Sequence, residues 1–162
     1  SLFETVDAEL GPVTAMFANA GIIQPNMPIT EYDAELLSRI WRVNLTSQFL
    51  SCREAVKRMS TDLGGGGGQI VIMSSAASRI GNPGTIMAYA ASKGGSDTLT
   101  IGLAKEVARQ GIRVNGVRPG LIETGIHAGT GDPNTLGQSK AGEGKAVLLR
   151  RGTRYRAQDG RS

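Results

Sequence analysis

The sequence is poor in the residues that form disulfides, metal sites and membrane spans. Among its 162 residues are one cysteine, one histidine and one tryptophan, and only 4% are aromatic. Cys52 alone excludes an intrachain disulfide and a cysteine-based zinc site, and His127 alone does not make a metal site. No apolar run approaches the ~18 residues of a membrane span, and no charged and then apolar leader opens the sequence. We therefore expect a cytoplasmic protein with no metal and no membrane contact.

The positive charge lies at the end of the chain. The net charge is +4, yet residues 137–162 hold seven Lys or Arg against two acids, so residues 1–136 are close to neutral. A basic segment whose one aromatic residue is Tyr155 is weak support for nucleic-acid binding, so we expect no nucleic-acid partner. The same segment is aperiodic, and only residues 146–149 are apolar enough for a core. We predict a folded domain over 1–136 and a basic tail over 137–162 that is disordered or read in a shifted frame.

Three short apolar runs predict buried strands. VTAMFANAG (13–21), QIVIMSS (69–75) and IRVNGVRPG (112–120) each end in small or polar residues, as strands of a parallel sheet do where a loop follows them. The segments that connect them are longer than a dozen residues, which requires parallel pairing because hairpin turns cannot make such connections. The pattern predicts an α/β fold with a doubly wound, Rossmann-like parallel sheet that is incomplete.

Two helical patterns separate these strands. Residues 30–61 carry an apolar stripe that follows a capping-box-like start at Thr30 and Asp33. Residues 88–110 form the clearest helix and are followed by Gly111, where a C-terminal stop belongs. Between the first helix and the second strand stand five glycines, 64–68, which we expect to form a flexible surface loop.

Ligands of open parallel sheets collect at the carboxyl ends of the strands. The polar side chains of interest there are Asn19, Ser74 and Ser75, together with the segment 118–124. The second helix adds Tyr89 and, four residues later, Lys93.

Tyr89 and Lys93 have the spacing of an activated phenol. Residues four apart lie on one face of a helix. A phenol with an ordinary pKa of about 10 needs a shift of roughly 3 units, or about 4 kcal/mol, to transfer protons at neutral pH. A fixed ammonium at ~4 Å supplies about that much at an effective dielectric of 20, so we expect Lys93 to lower the pKa of Tyr89.

The stretch SSAASRIGNPGTIMAYAASK (74–93) resembles the active-site segment of the short-chain dehydrogenase/reductase family, in which a serine precedes a Tyr-x-x-x-Lys pair. Three further motifs of that family follow the same order here: Asn19-Ala20-Gly21 after the first strand, Asn44 in the long helix, and Pro119-Gly120 with Ile122 and Thr124 after the third strand. The resemblance covers about residues 1–136.

The resemblance implies an oxidoreductase that interconverts an alcohol and a carbonyl by hydride transfer with NAD or NADP. It makes Tyr89 the general acid/base and Lys93 its partner, which also binds the nicotinamide ribose. Ser75 stabilises the substrate oxygen, with Ser74 as the rival for that role. Asn44 interrupts its helix and holds a water of the proton relay.

The resemblance also implies cofactor contacts: Asn19, Ala20 and Gly21 pass the adenosine side, Pro119 and Gly120 line the nicotinamide, and Ile122 and Thr124 contact its carboxamide. The glycine-rich turn that binds the pyrophosphate in that family is absent, so we expect an N-terminally truncated fragment. The parent enzyme is expected to act on a small molecule and to form a homo-oligomer through its long helices. The alternative is a non-catalytic remnant that at most associates with other subunits.

Overall fold

The computed structural model describes residues 2–122 and 124–132, and the backbone of 147–149. The described residues form five helices and four strands, which are connected by loops, a π turn and three 3₁₀ turns. In chain order the elements are α1 Leu2–Leu10, β1 Ala15–Ala18, α2 Ala34–Trp41, α3 Ser47–Met59, β2 Gly68–Met73, α4 Ala77–Ile80, α5 Met87–Glu106, β3 Ile112–Arg118 and β4 Val147–Leu149. The π turn Arg42–Thr46 joins α2 to α3. The 3₁₀ turns are Ile29–Glu31, Thr61–Leu63 and Gly125–Thr130.

The sheet has the strand order β1-β2-β3-β4. The first three strands are parallel, with Phe17 opposite Val71 and Val71 opposite Asn115. The predicted parallel α/β sheet is therefore confirmed, and it is incomplete as expected. β4 pairs antiparallel with β3 and lies inside the segment 137–162. The boundary placed after residue 136 falls outside the described residues and stays a prediction.

One face of the sheet carries the core. Its side chains come from alternate strand positions and from α3 and α5: Ala18, Cys52, Ala55, Met59, Ile70, Ile72, Leu99, Val107, Ile112 and Val114. Alternation follows from the strand period of two, because successive side chains point to opposite faces. On the other face Phe17 is 55% exposed. Helices α3 and α5 therefore pack on the same side of the sheet.

The first predicted helix begins later than expected and is not continuous. Asp33 is itself the N-cap of α2, where its carboxylate accepts from the Leu36 N–H at 2.7 Å, while Thr30 lies in a 3₁₀ turn. The capping box predicted at Thr30 was therefore wrong. The Asp33 carboxylate caps the helix instead, because it accepts from an N–H group of the first turn. The helix is then interrupted by the π turn around Asn44, as predicted.

The end of the glycine run next to β2 is closely packed, which corrects the expectation of a flexible loop for that end. Gly67 has a φ of +82°, and a Cβ there would lie 2.7 Å from the Gly111 carbonyl oxygen. A Cβ on Gly68 would lie 2.7 Å from the Thr14 carbonyl oxygen. Glycine is needed at these two positions because backbone segments approach each other too closely for a side chain. Gly64 and Gly66 are exposed, and a Cβ on either would meet nothing within 4 Å.

No helix in the described ranges combines the length and the apolar character needed to cross a bilayer. The same residues contain no group of three or more His, Cys, Asp or Glu side chains arranged to hold a metal ion.

Candidate functional site

A cavity of about 640 Å³ opens at the carboxyl ends of β1, β2 and β3. Residues that follow each strand line it, and the start of α5 closes one side. The predicted site residues on its wall are Asn19, Gly21, Ser74, Ser75, Tyr89, Lys93, Pro119, Gly120, Ile122 and Thr124. The parallel pairing of the three strands brings these segments to one edge, although they are up to about a hundred positions apart in the sequence.

Two predicted residues lie elsewhere. Ala20 is exposed and is absent from the cavity wall, so the structure separates it from its neighbours Asn19 and Gly21. Asn44 is fully buried behind the wall.

Tyr89 is nearly buried, and the Ser75 side chain lies near its phenol on the cavity wall. The pKa of Tyr89 is raised, because burial disfavours the phenolate more than the nearby Ser75 hydroxyl favours it. The expectation that Lys93 lowers the pKa of Tyr89 is not met by the geometry, in which the ammonium is directed at a carbonyl. The structure therefore keeps Tyr89 protonated at neutral pH.

Lys93 is 2% exposed, and its ammonium donates to the Met73 carbonyl at 2.9 Å. The Nζ atom lies 5.6 Å from the centroid of the Tyr89 ring. Burial lowers the pKa of Lys93 from its usual value near 10.5 to about 8. The ammonium has three N–H groups, so the bond to Met73 leaves donors on the side of the cavity.

The two adjacent serines have different partners. The Ser74 hydroxyl is buried and donates to the Lys93 carbonyl at 3.0 Å, so it links the end of β2 to α5. The Ser75 Oγ atom accepts from the Ala77 N–H at 3.2 Å and lies near the Tyr89 phenol. Of the two, Ser75 has its hydroxyl beside the phenol.

Three hydrogen bonds hold the carboxamide of Asn44 in place. Its Oδ1 accepts from the Ile22 N–H at 2.7 Å, and its Nδ2 donates to the Ile22 carbonyl at 2.8 Å and to Ser92 Oγ at 3.0 Å. The π turn places this side chain toward the loop after β1 and not on the solvent side. Asn44 thereby fixes the backbone next to Gly21.

Sequence reasoning missed Ser92 and the Met73 carbonyl. Ser92 receives the Asn44 amide and donates to the Tyr89 carbonyl at 2.6 Å, so it connects the π turn to the first turn of α5. Its position directly before Lys93 was the only available signal. A backbone carbonyl such as that of Met73 leaves no signal in a sequence, since every residue carries one.

The cavity keeps open space beside the Lys93 ammonium. A Cβ on Gly21 would lie 3.4 Å from Lys93 Nζ and 3.6 Å from Asn44 Oδ1, so the absence of a side chain keeps the space beside the ammonium open. Hydroxyl, amide and ammonium groups face that space together with apolar side chains such as Ile23 and Ile126. The chain contains no G-x-G-x-x-G turn to cradle a pyrophosphate.

The family model described as short chain dehydrogenase matches residues 1–134. Among curated proteins, the chain is 49% identical over 141 residues to "Uncharacterized oxidoreductase YgfF" of Escherichia coli K12, covering 87% of this chain and 57% of that protein. It is 35% identical over 121 residues to the 5-keto-D-gluconate 5-reductase of Escherichia coli K12, covering 75% of this chain and 46% of that protein.

Among solved structures, the chain resembles a gluconate 5-dehydrogenase from Burkholderia cenocepacia in complex with NADP and tartrate. The TM-score is 0.70 at 31% identity, over 77% of this chain and 47% of that chain. The chain thus spans about half the length of the proteins it matches.

Proposed function

Because the chain belongs to the short chain dehydrogenase family, we propose that it is the catalytic part of an NAD- or NADP-dependent oxidoreductase that interconverts an alcohol and a carbonyl compound. The observation that carries this proposal is that Ser75, Tyr89 and Lys93 line one wall of the same cavity, with Lys93 Nζ 5.6 Å from the centroid of the phenol ring.

When bound, a nicotinamide cofactor would supply the hydride for reduction of the substrate carbon. Tyr89 gives its phenolic proton to the carbonyl oxygen, and its raised pKa keeps that proton in place until the oxygen becomes basic. Ser75 donates a hydrogen bond to the same oxygen and stabilises the negative charge that develops there. In alcohol oxidation the Tyr89 phenolate takes the alcohol proton while Ser75 holds the oxygen by a hydrogen bond, so Tyr89 must first lose its own proton, which its raised pKa disfavours at neutral pH.

Lys93 and Asn44 support this exchange. The Lys93 ammonium is positioned to bind the nicotinamide ribose hydroxyls and, once charge develops on the phenol, to stabilise the phenolate. Asn44 holds the Ile22 backbone and, through Ser92, the first turn of α5. We assign to it the relay between Lys93 and solvent.

The cofactor contacts belong to the same proposal. Asn19 passes the adenosine side of the dinucleotide, whereas Gly21, beside the Lys93 ammonium, passes the nicotinamide ribose. Pro119 and Gly120 line the nicotinamide, and Ile122 and Thr124 bind its carboxamide. The solved relative contains NADP, which supports a dinucleotide at this edge of the sheet. Ala20 lies off the cavity wall and contributes to this motif through its backbone alone.

The substrate is a small alcohol or carbonyl compound, and the protein is a cytoplasmic homo-oligomer. Large apolar side chains on the outer surface of the long helices support association: Trp41 is 42% exposed, Phe49 52%, Leu50 47% and Ile101 37%. Sedimentation velocity checks the oligomeric state.

Isothermal titration of the purified chain with NADH and NADPH tests the proposal. We expect binding of at least one of them, and turnover with a panel of ketones that includes 5-keto-D-gluconate and 3-oxoacyl thioesters. Absence of binding of both at millimolar concentration would leave a non-catalytic remnant as the function of this chain.

A further inference from the structure

Two hydrogen bonds connect the Asn44 side of the fold to α5, one helical turn apart on each element. Asn44 donates to Ser92 Oγ at 3.0 Å, and Ser96 donates to Gln48 Oε1 at 2.7 Å. All four side chains are 0–1% exposed. Lys93 lies between the two serines in the sequence, so both bonds flank the residue whose ammonium faces the cavity.

One residue of each bonded pair also contacts the backbone at or just after the end of a strand. Asn44 holds the backbone of Ile22, which follows β1. Gln48 donates through Nε2 to the Met73 carbonyl, the last residue of β2, at 3.1 Å. The same carbonyl accepts from Lys93 Nζ at 2.9 Å. Gln48 and Lys93 therefore share one acceptor.

Sharing this acceptor has two physical effects. A carbonyl oxygen has two lone pairs, so the amide of Gln48 occupies one and fixes the direction in which Lys93 finds the other. The positive end of the amide dipole also lies near the ammonium, which adds to burial in disfavouring the charged form. Gln48 cannot rotate its amide freely, because Ser96 donates to its Oε1 and so selects the orientation with Nε2 toward Met73.

The geometry points to Gln48, held by Ser96, as the positioning residue that directs the Lys93 ammonium through the shared Met73 carbonyl. The importance of this role for catalysis rests on the proposed function. The effect of Gln48 on the Lys93 ammonium can nevertheless be measured without turnover.

Other groups contribute to the electrostatic surroundings of Lys93. Among the described residues, the buried titratable or charged side chains on the elements packed around it are Tyr89 and Asp97 on α5, Cys52 on α3 and Arg118 on β3. Asp97 and Arg118 neutralise each other in an ion pair in which Arg118 Nε donates to both carboxylate oxygens. Burial raises the pKa of Cys52 to about 11. Gln48 is thus an uncharged group that the test can remove without changing the local charge.

The test measures the pKa of Lys93 by NMR of the lysine side chains in the full 162-residue chain, with Lys93→Met assigning the signal. Gln48→Met keeps the volume of the side chain and removes the donor. Ser96→Ala leaves Gln48 in place and frees its amide. Thr100→Val is the matched control, because Thr100 is a buried residue one turn later on α5 whose hydroxyl donates only to the Ser96 carbonyl in this structure, at 2.8 Å.

We expect the pKa of Lys93 to rise by about half a unit in Gln48→Met. A smaller rise is expected in Ser96→Ala, and no change in Thr100→Val. An unchanged pKa in both Gln48→Met and Ser96→Ala, or an equal rise in the control, would overturn the role of Gln48. If Gln48→Met does not fold, the comparison of Ser96→Ala with Thr100→Val decides alone.

Failure of the proposed function gives a different result. If the chain binds neither NADH nor NADPH but shows the graded shifts in the pKa of Lys93, the oxidoreductase assignment fails. The role of Gln48 in directing Lys93 is then still supported. Where turnover is present, Gln48→Met is expected to shift the pH profile of kcat/KM, while Thr100→Val leaves that profile in place.

Discussion

The hydroxyl groups of Ser74 and Ser75 are adjacent in sequence and have separate partners: Ser74 donates to the Lys93 carbonyl at 3.0 Å, whereas Ser75 lies near the Tyr89 phenol and accepts from the Ala77 N–H at 3.2 Å. Both residues line the cavity, but the Ser74 hydroxyl is buried and its proton is directed at α5. We therefore propose a structural role for Ser74 and a catalytic role for Ser75.

Replacing each serine with alanine separates these tasks. Ser75→Ala is expected to lower kcat by about 10²–10³-fold, because one donor to the developing oxyanion is lost. Ser74→Ala is expected to reduce the free energy of unfolding by about 1–3 kcal/mol, since it leaves a buried carbonyl without its donor. Urea denaturation and steady-state kinetics of both variants check this. Equal losses of kcat in the two variants would contradict the division.

The stability of the chain should rise with pH as Lys93 loses its proton. Its pKa is about 8 in the folded state and near 10.5 when exposed, so between these values the unfolded chain binds more protons than the folded one. The burial penalty on the ammonium is fully present below pH 8 and is relieved as the pH rises through that value. From pH 7.5 to 9.5 the contribution is about 2 kcal/mol.

Urea denaturation over that range, compared with Lys93→Met, measures this contribution. The range stays below the usual pKa of tyrosine, so the raised pKa of Tyr89 does not interfere. The raised pKa of Cys52 lowers stability toward the upper end of the range, but equally in both proteins, so the difference between them measures the contribution of Lys93. The variant should lack the rise in stability. An identical pH dependence in both proteins would show that Lys93 is not the responsible group.

Asp97 and Arg118 form a buried ion pair between α5 and β3. Arg118 Nε donates to both carboxylate oxygens at 2.9 Å, and the side chains are 10% and 8% exposed. Asp97→Leu alone should destabilise the fold by about 3–5 kcal/mol, because Arg118 would remain buried and unpaired. The double variant Asp97→Leu, Arg118→Met should recover much of that loss. Additive losses in a double-mutant cycle would contradict the coupling.

A methyl group on Gly21 should weaken cofactor binding without unfolding the protein. The added Cβ would lie 3.4 Å from Lys93 Nζ, so it would occupy space at the ammonium. We expect Gly21→Ala to raise the dissociation constant of the preferred nicotinamide cofactor by about tenfold, equivalent to 1.4 kcal/mol. Isothermal titration measures it.

Gly102→Ala on α5 provides the control for Gly21→Ala, because a Cβ there meets nothing within 4 Å. It should stabilise the helix by about 0.5–1 kcal/mol and leave the dissociation constant unchanged. Weaker cofactor binding in Gly102→Ala would show that the Gly21 effect is not local.

The sequence was sufficient for the parts of the fold that depend on local pattern. The three apolar runs predicted β1, β2 and β3 and their parallel pairing, and the four-residue spacing predicted that Tyr89 and Lys93 share a face of α5. Family resemblance added Asn44 and the expectation of an interrupted helix, which the π turn confirms.

The remainder depends on contacts between distant segments. The hydrogen bonds between Asn44 and Ile22 and between Lys93 and Met73 depend on how the helices pack against the sheet. No local sequence pattern encodes that packing. The close approach of Gly67 to Gly111 likewise requires the register of β2 against β3. For the same reason the end of the glycine run next to β2 was mistaken for a flexible loop.

The central claim is that Tyr89 transfers the proton. The most direct test is Tyr89→Phe, measured for kcat and for the dissociation constant of the preferred nicotinamide cofactor in parallel. The account predicts a loss of kcat of about 10²–10⁴-fold with a dissociation constant within twofold of the unaltered chain. Retained turnover, or a loss of cofactor binding that explains the lower rate, would contradict it.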